Sequence, residues 1–133
     1  MHLISVKTHN RCELLDLTAE IRQILTRQSL SDGLVVVYVP HTTAGVTINE
    51  NADPDVCHDL LLTLERLIPP DSPLFRHSEG NSDAHAKASL IGSSVTLIVE
   101  NSQLQLGTWQ GIFFCEFDGP RSRQVMLKLI PTS

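Results

Sequence analysis

A run of six apolar, mostly β-branched residues from Leu34 to Val39 constrains the fold more than any other feature of this sequence. β-Branched side chains favour extended backbone, and an unbroken apolar run is typical of a strand that is buried on both faces. Pro40 ends this strand, because proline has no backbone N–H for the ladder of a sheet. The residues after Pro40 are therefore expected at the end of a sheet, where ligands commonly bind.

Apolar periodicity predicts the remaining elements around this strand. Strands are expected at residues 2–8 and 12–17, joined as a hairpin, and at 46–49, 95–99, 104–107, 112–117 and 124–130. Helices are expected from a cap at Thr18 to near Ser29, from Asp53-Pro54-Asp55 to Pro69, and over Asp83–Leu90 before Gly92. Runs of strands separated by runs of helices favour an α+β fold with a largely antiparallel or mixed sheet.

Length and composition limit the class of protein. The 133 residues suit a single domain over 1–133, and 41% hydrophobic with 19% charged residues is typical of a folded chain. No apolar stretch approaches the roughly 20 residues of a membrane-spanning helix, so no membrane partner is expected. Three well-separated cysteines form neither a disulfide framework nor a CxxC metal motif, which favours reduced thiols and a cytoplasmic location.

The charge distribution argues against nucleic acid as a partner. The net charge is −5 with the histidines neutral, and the ten lysines and arginines are scattered along the chain. Proteins that bind a duplex concentrate basic residues on one surface, because affinity comes largely from neutralising phosphates. We therefore expect no binding to a nucleic-acid backbone.

The triplet His41-Thr42-Thr43 is the first candidate for chemistry, because it follows the predicted buried strand directly after Pro40. An imidazole can ligate a metal, transfer a proton or bind a phosphate, and two hydroxyls can bind anion oxygens. A structural alternative stays open, in which His41 closes the strand by bonding to a backbone carbonyl.

A second polar block lies just before the second predicted helix. Asp53 and Asp55 are explained as helix-start residues, since a cap and a first-turn carboxylate suit the positive end of a helix. Glu50 and Asn51 are not explained in this way, and their oxygens suit a hard cation or the orientation of a ligand. His58, one turn after Asp55, is expected to face solvent.

The segment 77–85 holds two histidines and two carboxylates in nine residues, a composition that matches a metal-ligand cluster. Asn81 or Ser82 can cap the helix that follows, and Asp83 complements its dipole. Lys87 is expected to point away from His85, towards solvent or a partner. Three side chains remain for function: His77, Glu79 and His85.

The only tryptophan, Trp109, lies between Gly107 and Gly111 and beside Gln110. Two interpretations stay open. A tryptophan commonly lies in the core, whereas glycines on both sides indicate a bend where something approaches the backbone. A tryptophan face beside an amide suits a flat heteroaromatic ring. Arg121, after the Asp-Gly-Pro turn, is either an anion contact or a solvated side chain.

These blocks resemble the signature of the YjbQ family in four stretches: His41–Asp55, Glu79–Leu90, Leu106–Ile112 and Cys115–Arg121. The stretches follow one another in the same order over nearly the whole chain. The resemblance implies a barrel-like α+β fold with about three helices, assembled as a homo-oligomer, in particular a trimer. Cys57-His58 departs from the family pattern, which carries charged or apolar residues there more often, and this weakens His58 as a general ligand.

The resemblance also implies an activity. The family is similar to secondary thiamine-phosphate synthases, which join a hydroxymethylpyrimidine diphosphate to a thiazole phosphate and release pyrophosphate. Departure of pyrophosphate requires its charge to be neutralised, which a divalent metal, Mg²⁺ or Zn²⁺, on His41 and His85 would provide. The chain has neither a Gly-rich phosphate loop nor an aspartate-rich diphosphate box. The resemblance further implies that the activity is weak.

The predicted catalytic set is His41, Glu50, Glu79 and His85. The predicted substrate-binding set is Thr42, Thr43, Asn51, Asn81, Trp109, Gln110 and Arg121. In this set Trp109 and Gln110 receive the pyrimidine by stacking and hydrogen bonding. Two other classes stay open. One is a metal-binding protein or metal-dependent hydrolase that uses His41 and His85 with Glu50 or Glu79, and the other is a non-catalytic ligand-binding oligomer.

Overall fold

The computed structural model describes residues 1–132, which form eight strands and three helices. In chain order the elements are β1 (His2–Lys7), β2 (Glu13–Asp16), α1 (Thr18–Arg27), β3 (Gly33–Tyr38), β4 (Ala44–Glu50), α2 (Pro54–Leu67), α3 (Ser82–Ile91), β5 (Ser94–Glu100), β6 (Gln103–Leu104), β7 (Gln110–Glu116) and β8 (Ser122–Pro131). The prediction of an α+β fold with three helices is confirmed. No helix in this part of the chain is both long and apolar enough to cross a membrane.

The strands form two sheets, in which every pairing between residues 1 and 132 is antiparallel. The larger sheet has the order β1-β8-β3-β5-β6, and the smaller has the order β2-β7-β4. β3, the apolar run of the sequence, lies at the centre of the larger sheet. Its inward side chains Val35 and Val37 are fully buried, whereas Tyr38 on the outward face is 45% exposed. The expectation that both faces are buried is wrong, because nothing in the described chain covers the outer face of this sheet at Tyr38.

Strand β7 contributes to both hydrophobic cores, because successive side chains leave a strand on opposite faces. Ile112 and Phe114 point into the main core, which the five-stranded sheet and α1 complete. Phe113, Cys115 and Phe117 point the other way, into a smaller core with α2 and α3. The three-stranded sheet therefore has the larger sheet on one face and these two helices on the other.

Local signals set the ends of α2 and α3. The Asp53 carboxylate accepts a 2.9 Å hydrogen bond from the backbone N–H of Asp55, and Pro54 occupies the first helical position, as predicted. α3 ends at Gly92, whose φ of 98° is a conformation that side chains disfavour. The Gly92 carbonyl accepts a 3.1 Å hydrogen bond from the N–H of Val46, which holds α3 against β4.

Two local predictions are wrong. β1 and β2 do not form a hairpin, because β1 pairs with β8 and β2 pairs with β7 in the other sheet. Alternation along a sequence identifies strands without identifying their partners, and here both partners come from the far end of the chain. Thr18 begins α1 instead of capping it. Its hydroxyl donates to Asp16 Oδ1 at 2.6 Å and accepts from the N–H of Ile112 at 2.9 Å, which ties α1 to β7.

Candidate functional site

A pocket of about 340 Å³ lies between the end of β3 and helix α3. Its polar lining comes from His41 and Thr42, which follow β3, and from His85 and Ser89, which lie one turn apart on α3. Small residues form the rest of the wall: Ala44, Ala88, Gly92 and Ser93. Tertiary structure therefore brings the histidines of two separate sequence blocks, His41 and His85, to one pocket.

His41 is held through a ring nitrogen. The backbone N–H of Gln124 on β8 donates a 3.0 Å hydrogen bond to His41 Nε2, so Nε2 carries a lone pair and the proton is assigned to Nδ1. Burial of the ring and the nearby positive charge of Arg123 lower the pKa of His41. The sequence left open a bond from His41 to a backbone carbonyl. In the structure the ring instead accepts a bond from a backbone N–H. His41 is a neutral side chain with one N–H to donate.

Of the same sequence block, His77 lies next to His85, and Glu79 lies next to His77. The rings of His77 and His85 meet edge to face, with their centroids 5.6 Å apart and their planes at 88°. Glu79 Oε2 lies 3.7 Å from His77 Nε2, and both of these side chains are largely open to solvent. The His77–Glu79 pair therefore borders the pocket through His85.

A buried ion pair between Glu116 and Arg123 lies beside His41, between the two sheets. Arg123 Nε donates to Glu116 Oε1 at 2.9 Å, and Nη2 donates to Oε2. Arg123 Nη2 also donates to the Thr43 hydroxyl at 2.9 Å, and the Thr8 hydroxyl donates to Glu116 Oε1 at 2.8 Å. Thr43, predicted to bind substrate, is thus buried with its hydroxyl oxygen engaged inside the protein, whereas Thr42 lines the pocket.

Burial opposes ionisation of Glu116, but the hydrogen bonds from Arg123 and the backbone N–H of Asp118 outweigh it, so the pKa of Glu116 is lowered. This pair was not predicted from the sequence, although strand alternation contains the signal. Glu116 shares a face of β7 with Phe114, and Arg123 shares a face of β8 with Val125, and both apolar residues point into the main core. Two opposite charges at core positions of two strands imply an ion pair.

Lys87 forms a second buried network, which corrects the expectation that it faces solvent or a partner. It is 1% exposed, and its Nζ donates to Asp83 at 3.0 Å and to Glu65 of α2 at 2.9 Å. Arg11 adds two bonds to Asp83, at 2.9 and 3.1 Å. Burial opposes the charge on Lys87, but the bonds to Glu65 and Asp83 outweigh it and raise the pKa of Lys87. The expectation was wrong because α2 covers this face of α3.

Asn81 and Arg121, predicted to bind substrate, meet at the carboxylate of Asp118. Asn81 Nδ2 donates to Asp118 Oδ2 at 2.9 Å, and Arg121 Nη2 donates to the same oxygen at 2.8 Å. Asn81 is the residue before α3, but its side chain makes no capping bond, and its buried Oδ1 has no hydrogen-bond partner among residues 1–132. The Arg121 side chain is 52% exposed and is oriented by Asp118.

Four predicted site residues lie at the other end of β4: Glu50, Asn51, Trp109 and Gln110. The length of β4 separates them from His41 by about 20 Å. Trp109 is 62% exposed, which excludes a core position and leaves the ring open for stacking. Gln110 Oε1 accepts from the N–H of Gly107 at 2.8 Å, and Asn51 Nδ2 donates to Asp16 at 3.1 Å. Within one chain this far-end group does not reach the pocket.

The residues of a single chain do not fit the predicted metal site. Within residues 1–132 no group of three or more histidine, cysteine or acidic side chains is placed to hold a metal ion. Of the two predicted ligands, His41 already uses Nε2 to accept from Gln124, and its Nδ1 carries the proton. His58 lies on the surface of α2, 72% exposed, as predicted, and contacts Asp59.

The sequence matches the family model described as "UPF0047 protein YjbQ-like" over residues 2–132. It is 54% identical over 125 residues to a UPF0047 protein of Methanocaldococcus jannaschii, covering 94% of this chain and 90% of the relative. It is 50% identical over 127 residues to the UPF0047 protein YugU of Bacillus subtilis, covering 96% of each. The fold matches a crystal structure of an uncharacterized YjbQ/UPF0047 protein from Clostridium acetobutylicum, with a TM-score of 0.95, 52% identity, and coverage of 98% of this chain and 100% of that one.

Proposed function

The chain belongs to the UPF0047 YjbQ-like family, and we propose that its pocket between His41 and His85 binds phosphate-bearing substrates and catalyses a transfer of the thiamine-phosphate-synthase type. The observation that carries this proposal is the lining, which consists of two imidazoles, the hydroxyl of Thr42, and small residues, among them Ser89, whose hydroxyl donates to the His85 carbonyl at 2.9 Å. None of the eight lining residues, all in the described part of the chain, carries a carboxylate. N–H and O–H donors without an opposing negative charge suit phosphate oxygens.

The proposed reaction joins two substrates by displacement at carbon. The C–O bond between the methylene carbon of the pyrimidine and its diphosphate breaks, and the bonding electrons leave with the diphosphate. The ring nitrogen of the thiazole phosphate supplies its lone pair to the same carbon and forms the new C–N bond. Thiamine phosphate and pyrophosphate result, with no change of oxidation state. The negative charge that builds on the departing diphosphate is what the site has to stabilise.

The pocket residues take distinct roles in this reaction. His41 donates its Nδ1–H to a departing phosphate oxygen, because the bond from Gln124 fixes the tautomer that places the proton there. Thr42 donates its hydroxyl, and His85 a ring N–H, to the phosphate of the thiazole substrate in the pocket. Glu79 acts through His77, which packs on His85, as a positioning residue.

The far-end group enters this proposal through a neighbouring copy of the chain. We place it in a homo-oligomer, a trimer as the resemblance implies, in which the far end of one copy faces the pocket of the next. Exposed apolar side chains on and after α2 support an assembly, since Leu67, Leu74 and Phe75 are 67%, 86% and 42% exposed. There Trp109 stacks on the pyrimidine, and the amide of Gln110 bonds to its ring.

No step is assigned to a metal ion, because His41 and His85 of one chain do not make a complete ligand set. A metal on these residues would need ligands from a neighbouring copy, and Glu50 of the far-end group is the residue type that could supply one. Elemental analysis of the purified assembly separates the two cases. Metal bound at one equivalent per chain, and lost from a Glu50→Gln variant, would favour the metal-binding alternative.

A direct assay tests the proposed transfer. Purified protein is incubated with hydroxymethylpyrimidine diphosphate and thiazole phosphate, and thiamine phosphate is measured by chromatography. We expect product above the protein-free background, a rate lowered by about 100-fold in His85→Gln, and an unchanged rate in His58→Gln, whose side chain is exposed on α2. Absence of product, or equal rates in the two histidine variants, would contradict the proposal.

A further inference from the structure

A second depression, of about 500 Å³, meets the pocket at His41. It lies on the first two strands of the larger sheet and is lined by Ser5, Val6, Lys7, His41, Ser122, Arg123 and Gln124. His41 is the one residue that lines both depressions. The bond from the Gln124 N–H to the His41 ring therefore lies at the junction of the two.

The strand register places four polar side chains of this depression together. Lys7 pairs with Ser122, and Ser5 pairs with Gln124, in the antiparallel ladder of β1 and β8. All four are exposed and alternate with inward residues, so they share the outer face of the sheet. Directly opposite residues of such a pair have Cβ atoms about 5 Å apart. We call these four residues the Lys7 patch.

The charge of the Lys7 patch is not balanced within the chain. Lys7 makes no ion pair with any residue between 1 and 132, and no carboxylate lines the depression. Arg123, which also lines it, directs its guanidinium to the buried Glu116. The patch offers several donors to one anion: an ammonium, two hydroxyls and an amide. Two paired strands hold these donors in place.

We propose that the Lys7 patch is an anion subsite for phosphate groups, separate from the pocket that contains His85. The assignment of its natural ligand rests on the proposed function: the departing diphosphate enters this subsite while the second substrate lies in the pocket. Because His41 lies between the two depressions, its Nδ1–H can donate to the phosphate oxygen of the C–O bond that breaks. The two substrates of the transfer then have separate depressions that meet at one imidazole.

Inorganic pyrophosphate is the probe for this subsite. Its binding to the full chain is measured by calorimetry, and NMR follows the His41 ring. We expect saturable binding that shifts the His41 ring signals, about tenfold weaker in Lys7→Gln and within about twofold of wild type in Lys128→Gln. Lys128 is the matched control, because it is exposed on the same outer face of β8, opposite Val36 and away from the depression. Equal weakening by both substitutions, binding without a shift of His41, or no binding would overturn the subsite.

The experiment separates failure of the subsite from failure of the proposed transfer. His85→Gln is expected to lower transfer by about 100-fold while leaving pyrophosphate affinity within about twofold of wild type, because His85 does not line this depression. If the Lys7 patch binds pyrophosphate but the protein makes no thiamine phosphate, the subsite is supported and the proposed transfer is rejected. If pyrophosphate inhibits the transfer equally in wild type and in Lys7→Gln, the proposed transfer is supported and the subsite is rejected.

Discussion

The backbone N–H of Gln124 donates a 3.0 Å hydrogen bond to the ring of His41, a residue 83 positions away in the chain. A strand near the end of the chain thus fixes a side chain that follows a strand near its beginning. The accepting Nε2 needs its lone pair, so the bond favours the neutral ring with its proton on Nδ1. His41 serves as a hydrogen-bond donor at the junction of the two depressions.

We expect the pKa of the His41 imidazole in the folded protein to lie below its ordinary value of about 6.5, because burial and Arg123 lower it. Its contribution to stability is then fully present above about pH 6.5 and is lost as the pH falls through the folded pKa. Nitrogen-15 NMR of the ring reports both the midpoint and the tautomer, and the urea-unfolded chain provides the reference. An Nε2–H tautomer at neutral pH would contradict the assigned hydrogen bond.

Loss of the hydroxyl group should affect stability at Thr43 and the transfer rate at the adjacent Thr42. Thr43→Val should lower the free energy of unfolding by about 1–2 kcal/mol, because Arg123 Nη2 loses a buried acceptor. Thr42→Val, in the pocket wall, should change stability by less than about 0.5 kcal/mol but reduce transfer. Urea unfolding and the transfer assay distinguish the two. Transfer rates that fall only with stability would argue against a role for Thr42.

Replacement of Lys87 by methionine should destabilise the protein by about 3 kcal/mol, because it leaves Asp83 buried with only Arg11 as a cationic partner. The same change at Lys128, which is exposed, should cost less than about 0.5 kcal/mol. Denaturant unfolding of both variants measures the difference. Similar stabilities would mean that Lys87 is solvated instead of buried against α2.

The Glu116–Arg123 pair should make stability depend on pH in the acid range. The pKa of Glu116 is lowered in the folded state, so its contribution is fully present above the unfolded value of about 4.3 and is lost as the pH falls below it, through the folded pKa. Asp83, whose pKa is also lowered, acts in the same direction. Glu116→Gln should cost about 3 kcal/mol at pH 7 and flatten the decline below about pH 4. If the stability of Glu116→Gln declined as steeply with falling pH as that of wild type, the pH dependence would belong to other carboxylates.

A methyl group at Gly45 should disturb the pocket wall. A Cβ built there would lie 2.6 Å from the carbonyl oxygen of Gly92, which bonds to the neighbouring Val46, so α3 would have to move away from β4. We expect Gly45→Ala to cost about 2 kcal/mol and to lower transfer. Gly107→Ala is the control, because its Cβ would meet only the flexible side chain of Gln110 at 3.3 Å, and it should cost less than about 1 kcal/mol. Equal stabilities would imply that α3 adjusts freely.

Local signals were sufficient to predict most of the elements and to single out His41, Thr42 and His85 of the pocket. Apolar periodicity located the helices and most strands, and Asp53-Pro54 and Gly92 marked helix ends, since capping acts over a few residues. The polar triplet after Pro40 and the cluster around His85 were identified as candidates for chemistry, with a structural alternative left open for His41. The far-end group was expected in the same pocket as His41, but within one chain it lies at the other end of β4, because distance along the sequence does not give distance across a sheet.

By itself the sequence determined the α+β composition and the three helices, because propensity, capping and alternation are local properties of the chain, whereas the tertiary structure brought His41 and His85 to one pocket. Only the tertiary structure decided that β8 lies beside both β1 and β3, where the Gln124 N–H reaches His41. It also decided that Glu116 meets Arg123 and that Lys87 meets Asp83 and Glu65. These contacts depend on strand pairing and layer packing between residues far apart in the sequence. A buried charge is stable only beside a partner of opposite charge, and the fold supplies that partner.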